Sequence, residues 1–424
     1  MYKKIISIIA LTLFVSTAML YSAESPFYKR GVRALGMGGA HVCLSDDQNA
    51  FFYNPAGITK REKRMLTLVD MPISITDDML KFYDWYKDNE DALKDFDKLP
   101  ETDKTELLND ITDKITSYRT RFTFGGPIFP LNFNYISGPR GANNNMFWGI
   151  GVFDQVDIGF NLNSGILIPK LDIWGHADVA GMFMLARKFD NDVSVGANIK
   201  YIGRAGLDER GISILALEGL EPMIQPGFGM GVDLGVTWDF KENMEVGMSI
   251  MDVGGTPIKY KEATKDTTDD GVTTTQTKEE YTGIIYSRVN LGFAYKPIDT
   301  WNLPLKPDLT LAVDIHDVLD SEDDGKLSFS ELFKKMHMGA EFQWNLVQFR
   351  CGLNSGYPTL GLGASLLGFK VEYAYYTDEM GLFPGDLPET NHMISVAWRF
   401  GAGRVSEKES MRLKEKRLAR YSKI

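Results

Sequence analysis

Between Phe228 and Phe240 every second residue is apolar. Phe228, Met230, Val232, Leu234, Val236, Trp238 and Phe240 share one parity, and Gly229, Gly231, Asp233, Gly235, Thr237 and Asp239 share the other. A helix would scatter both sets around its axis, whereas an extended strand puts them on opposite faces. The alternation recurs from Val193 to Tyr201 and from Met336 to Trp344. Two architectures produce it: a sandwich or soluble barrel with the apolar face inward, or a membrane barrel with that face turned to lipid. Run length separates them. Many runs hold roughly 9 to 13 residues, as tilted membrane strands do, while strands of soluble proteins peak near five or six. Trp148, Tyr201, Trp238, Tyr295, Trp344, Tyr375 and Trp398 fall near run ends, where interfacial girdles lie. The pattern predicts an all-β, transmembrane antiparallel β-barrel.

Fourteen strands are expected, at 65–76, 119–135, 146–160, 171–189, 192–204, 226–240, 244–254, 286–297, 307–319, 336–345, 347–355, 358–367, 369–377 and 391–400. An even number leaves both ends of the barrel on one side of the membrane. Short links at 190–191, 241–243, 346 and 368 then face the periplasm, and the long links at 77–118, 205–225, 255–285, 320–335 and 378–390 face outward; 356–357 is an exception.

No stretch reaches the roughly 18 apolar residues of a membrane helix, so any crossing is by strands. The net charge of -11 argues against nucleic-acid binding. Lys3-Lys4, an apolar run from Ile5 to Leu20 and Ser22-Ala23 lay out a secretory signal peptide over 1–23, with a cut after Ala18 as a competitor to Ala23 and a membrane anchor as the other reading of the run. The two cysteines, Cys43 and Cys351, are not expected to form a disulfide; Cys351 reads as an outward apolar residue of a strand. No zinc-protease, hydrolase-elbow or phosphate-loop signature is present and the five histidines are scattered, so an enzyme is not expected.

Ahead of the first strand lies Gly36-Met-Gly38-Gly39-Ala, then Asp46-Asp47, then Asn54-Pro55-Ala56-Gly57. The glycines allow backbone angles closed to other residues, Asp46-Asp47 are suited to cap a turn over Asn49 to Tyr53, and Asn54-Pro55 to end it. The pattern resembles the N-terminal hatch of FadL-type outer-membrane β-barrels, a superfamily of hydrophobic-compound transporters that also holds TraF-like and PorV-like barrels. Leu353 to Gly361 and Tyr373 to Leu387 resemble the C-terminal strands of TraF-like members. The resemblance implies a hatch over 24–64 folded in the lumen, with Asn54, Pro55 and Ala56 as its tripeptide, a barrel over 65–400, and a place in the Gram-negative outer membrane. Trp398-Arg399-Phe400 looks like the terminal signal of such barrels, displaced from the chain end by 401–424.

The expected functional features are these. The insertion 77–118 is charged and helix-forming, with stretches Met79 to Phe96 and Thr102 to Thr116, and reads as an outer lid or as a solvated loop. Gly125, Gly126, Pro127 and Pro130 interrupt the second strand, where proline cannot donate to the ladder; the readings are a lateral opening, as in FadL-like barrels, or a bulge. Lys200, Asp233, Glu341, Arg350, Lys370, Glu372 and Arg399 fall on the lumen face. Trp174, Met182 and Met184 share that face of the fourth strand, as ligand contacts or as packing against the hatch. Asp320, Glu322, Asp324 and Glu331 have the spacing of a calcium loop, with an acidic outer loop as the plainer reading; no other cofactor is expected. Residues 401–424, with eight basic and three acidic side chains, read as a basic periplasmic tail. The leading function is diffusive uptake of a small hydrophobic molecule. The alternative is a non-transporting scaffold or shuttle in protein secretion or conjugation, meeting periplasmic or secretion-machinery proteins through the tail or outer loops. A soluble exported sandwich is the third reading.

Overall fold

The computed structural model describes residues 22–25, 31–61, 63–94, 98–115, 119–124, 132–138, 145–163, 170–213, 222–241, 243–269, 272–297, 307–319, 329–380 and 385–401. Gly125, Gly126, Pro127, Pro130, Asp320, Glu322, Asp324, nearly all of the signal peptide and all of the basic tail but Gly401 lie outside them.

The chain closes a barrel of fourteen antiparallel strands. The first seven are β1 (Met65–Thr76), β2 (Arg119–Phe124 and Asn134–Ile136), β3 (Met146–Asn163), β4 (Lys170–Lys188), β5 (Val193–Ser213), β6 (Ile224–Lys241) and β7 (Met244–Met251 and Thr256–Tyr260). The second seven are β8 (Tyr281–Ile285 and Arg288–Tyr295), β9 (Asp308–Ile315), β10 (Met336–Trp344), β11 (Val347–Asn354), β12 (Tyr357–Leu366), β13 (Phe369–Glu379) and β14 (Pro388–Phe400). Each pairs with its sequence neighbours, and β14 returns to β1 from Leu66↔Phe400 to Thr76↔Asn391. All fourteen stand where the alternation places them.

The barrel is inside-out relative to a soluble protein. On β6, Phe228, Met230, Leu234 and Trp238 are exposed, while Asp233 and Thr237 of the opposite parity are buried. Such an arrangement is stable only where the exposed band meets lipid, which removes the sandwich reading. Cys351 lies on the outward face and Cys43 inside, both free. No helix among the described residues is long and apolar enough to cross a membrane.

Differences from the sequence expectation concentrate outside the alternating band. β5 runs to Ser213, past the expected 204, and β8 begins at Tyr281, ahead of 286. Its tip carries Asp208, Glu209 and Arg210, so no apolar face marks it as strand. The long link after β7 holds a two-stranded hairpin, Ala263–Asp269 with Val272–Lys278, built from β-branched threonines. The insertion after β1 forms three helices, α2 (Asp77–Asp88), α3 (Glu90–Lys94) and α4 (Glu101–Ile115), after α1 (Val32–Gly36) of the N-terminal segment. The Trp85 indole N–H donates to Asp110 at 2.7 Å, tying α2 to α4.

Candidate functional site

Residues 31–60 fill the lumen as α1 and two 3₁₀ turns, Gln48–Phe51 and Pro55–Lys60. Local chemistry sets both turns. Asp47 caps the first, accepting from the Asn49 N–H at 2.8 Å, and Asn54 caps the second, its Oδ1 accepting from the Ala56 N–H at 3.0 Å with Pro55 at the first position. The capping expectation is thus corrected in two details. Asp46 does not cap but pairs with Arg33 at 2.7 Å, and Asn54-Pro55 begins the second turn instead of only ending the first. Gly38 has a positive φ of 66°, and a Cβ there would lie 2.4 Å from the carbonyls of Met338 and Leu353, so only glycine permits the approach to β10 and β11. Gly57 packs as tightly against the Ser45 carbonyl, and Gly36 against Gly361 of β12.

The segment meets opposite sides of the barrel by different means. Toward β3–β5 the contact is apolar: Phe51 and Phe52 stack edge-on with Phe153, with ring centroids 5.1 and 4.8 Å apart, and Met182, Met184 and Ile202 complete the cluster. Met182 and Met184 are therefore buried against the segment. Trp174, eight residues along the same strand, stands apart over Gly159, with the Arg210 guanidinium 5.5 Å from its ring. The structure does not bring the three together.

Toward β9–β14 the contact is ionic. The Arg33 guanidinium donates through Nε and Nη2 to both oxygens of Glu341, each at 2.9 Å. Arg350 donates to the same carboxylate at 2.8 Å and lies 2.9 Å from Glu372, which Lys370 meets at 2.8 Å. Arg399 reaches Asp70 at 3.1 Å, and the Gln48 amide also donates to Asp70. Asp314 of β9 accepts from the backbone N–H groups of His41 and Val42 at 2.6 and 2.7 Å. The lumen charges read from the alternation are buried here except the half-buried Lys370, and Lys200 closes a similar set with Asp233 and Asp252 at 2.7 and 2.8 Å. Burial opposes ionisation of Asp47, but the His41 ring and the Arg33 charge outweigh it and hold its carboxyl well below the usual carboxylate range. Beneath the segment, at the end of the short links, a cavity of about 490 Å³ is lined by Arg61, Asp46, Gln348, Lys370 and Arg399.

The wall is uneven. β2 pairs with β1 at Ile73–Ile75 and again at Met65–Thr67, and with β3 up to Val156 and again from Gly151. Residues 125–131 between these pairings lie outside the described ones; next to them the Asn132 side chain joins β1 to β3, its Nδ2 donating to the Asp70 carbonyl at 2.6 Å and its Oδ1 accepting from the Asp154 N–H at 3.0 Å, and the Phe133 carbonyl accepts from the Val152 N–H at 2.8 Å. The expected interruption at Gly125, Gly126, Pro127 and Pro130 lies outside the described residues; the sequence reading did not single out Asn132, for which no local pattern gives a signal.

A family of unknown function, DUF5723, matches residues 190–383. No curated protein matches the sequence. Among solved structures, the Ralstonia pickettii toluene transporter TbuX is similar at 11% identity over 87% of this chain and 97% of its own, with a TM-score of 0.50. A deletion mutant of the monoaromatic hydrocarbon channel TodX is similar at 11% identity over 88% of this chain and 98% of its own, with a TM-score of 0.51. The fourteen-strand closure, the inside-out wall and the match along nearly the whole of both barrels agree: this chain has the fold of the FadL-type outer-membrane barrels.

Proposed function

We propose that the protein is an outer-membrane channel for diffusive uptake of small hydrophobic compounds, which leave the lumen through the wall beside β2. The observation that carries this reading is the seam beside β2, where the Asn132 amide joins β1 directly to β3 between the two described pieces of that strand. A straight path to the periplasm would take an apolar solute through the buried ion pairs around Glu341 and Glu372, and parting such pairs in a low-dielectric lumen is costly. A way out through the wall beside β2 would avoid that cost and lead to lipid. The likeness to TbuX, a toluene transporter, and to TodX, a monoaromatic hydrocarbon channel, supports the same reading and a non-enzymatic role.

The test is uptake of labelled toluene by a Gram-negative host without such a channel of its own. Expression of this barrel accelerates uptake; no gain over the empty host, with the barrel folded in the outer membrane, would sink the reading. Replacing Pro127 and Pro130 by Thr and Val, which restores ladder donors, abolishes the gain. Asn132→Ala removes a clasp of two hydrogen bonds, worth about 1–3 kcal/mol, and raises uptake.

A further inference from the structure

Toward the long-link end of the lumen, the chain ahead of α1 makes a contact of its own. Ser22–Ala23 runs as a short parallel strand beside Gly283 and Ile284 of β8, and the Glu24 N–H donates to the Ile284 carbonyl at 3.0 Å. The Glu24 carboxylate then turns to the wall. Its Oε2 accepts from Arg204 Nη1 at 3.1 Å and from the Tyr260 hydroxyl at 2.9 Å. A Cβ on residue 283 would fall 2.2 Å from Glu24 Oε1, so Gly283 is what admits the side chain.

Arg204 is already matched without Glu24. Its Nε and Nη2 bind Asp178 in a two-pronged pair at 2.8 and 2.7 Å, leaving Nη1 as the prong aimed at the lumen. Arg204 and Asp178 cancel, so Glu24 gives the cluster one net negative charge; His176, 3.4 Å from Asp178, is neutral unless protonated. Tyr260 stacks on Tyr281 with centroids 4.5 Å apart, and Ile202, Ile258 and Ile285 of the same strands are fully buried. The site is a greasy wall whose two polar donors are already taken by a carboxylate from the chain itself.

We infer that Glu24 is a specificity-determining residue, which by occupying Arg204 and Tyr260 makes the channel select neutral hydrophobic compounds and reject carboxylates of the same shape. This rests on the uptake reading above and on the signal-peptide cut after Ala18, which keeps Ser22–Ala23 in the exported chain and leaves Glu24 without a terminal ammonium beside its carboxylate. An anionic ligand must displace Glu24 or sit beside its charge in a low-dielectric lumen; a neutral ligand needs neither.

The test compares 4-butylbenzamide with 4-butylbenzoate, near-isosteres that differ in charge, by equilibrium binding to the full chain in detergent, with toluene uptake in cells measured alongside. The wild type binds the amide about tenfold more tightly. In Glu24→Gln the benzoate gains about tenfold while the amide stays within about twofold, and Glu24→Asp, which keeps the charge, keeps the preference. Tyr260→Phe, made in Glu24→Gln, reverses part of the benzoate gain. Each variant is first shown to keep the heat-dependent gel mobility of a folded barrel. If toluene uptake is intact but Glu24→Gln leaves the ratio of the two affinities unchanged, the selectivity role is overturned and uptake stands. If the wild type fails to accelerate toluene uptake, the uptake reading falls and this inference with it.

Discussion

The segment at residues 31–60 is held on one side by rings and on the other by charges, and the two sides do different work. Phe51, Phe52 and Phe153 bury area without strict direction, so small shifts cost little there. Arg33 and Arg350 share one carboxylate, Glu341, through directed hydrogen bonds, and a shift of a few tenths of an ångström degrades several at once. The apolar side thus supplies adhesion and the ionic side sets position. Under the uptake proposed above, the ionic side is also what bars an apolar solute from a straight path along the lumen.

The sharpest way to break this division is Glu341→Ala, which takes from two buried guanidinium groups the carboxylate they share and leaves Arg33 paired with Asp46 and Arg350 with Glu372. We expect the docked segment to lose about 3–5 kcal/mol, read as loss of hydrogen-exchange protection across 32–44 with the barrel strands still protected. Unchanged protection would mean that the rings alone hold the segment. Phe51→Ala should cost slightly less, about 3 kcal/mol, and lower protection around the 3₁₀ turns while the Arg33 contacts persist. If it unseats residues 32–44 as fully as Glu341→Ala does, the two sides are one cooperative unit and the comparison fails.

The smallest effect is that of pH. Asp47 has its folded-state pKa held below the usual carboxylate value, so its stabilising contribution is complete above that usual value and is lost as pH falls through the folded one. The contribution of Asp47 to docking should therefore stay constant from neutral pH to about 4 and weaken only below, and Asp47→Asn removes that part of the pH dependence. An acid limb that survives in Asp47→Asn would assign it to another carboxylate. The same variant keeps a cap oxygen for the Asn49 N–H, which separates charge from capping.

Much of this was legible in the residues. Parity on β6 named which side chains face out and which face in, because a strand's period of two is a local property of the backbone. The positive-φ Gly38 and Gly39 and the cap at Asp46-Asp47 were legible for the same reason, each acting within a few residues of itself, while the second cap, Asn54, was read only as a turn end. The lumen charges were legible as a set, but their pairing was not. Arg33 and Glu341 are 308 residues apart, and Glu24 and Arg204 are 180 apart. Their meeting depends on strand tilt and on where β14 closes against β1, which no local pattern encodes.

The sequence by itself determined a barrel of fourteen strands with a compact, glycine-dependent piece ahead of it, since alternation, run length and turn chemistry leave little else for this chain to form. Only the tertiary structure decided that Trp174 stands away from Met182 and Met184, that Asn132 joins β1 to β3, and that Glu24 occupies the donors of Arg204 and Tyr260. Each is a contact between residues far apart in the chain, fixed when the sheet closes on itself and its faces acquire a definite register.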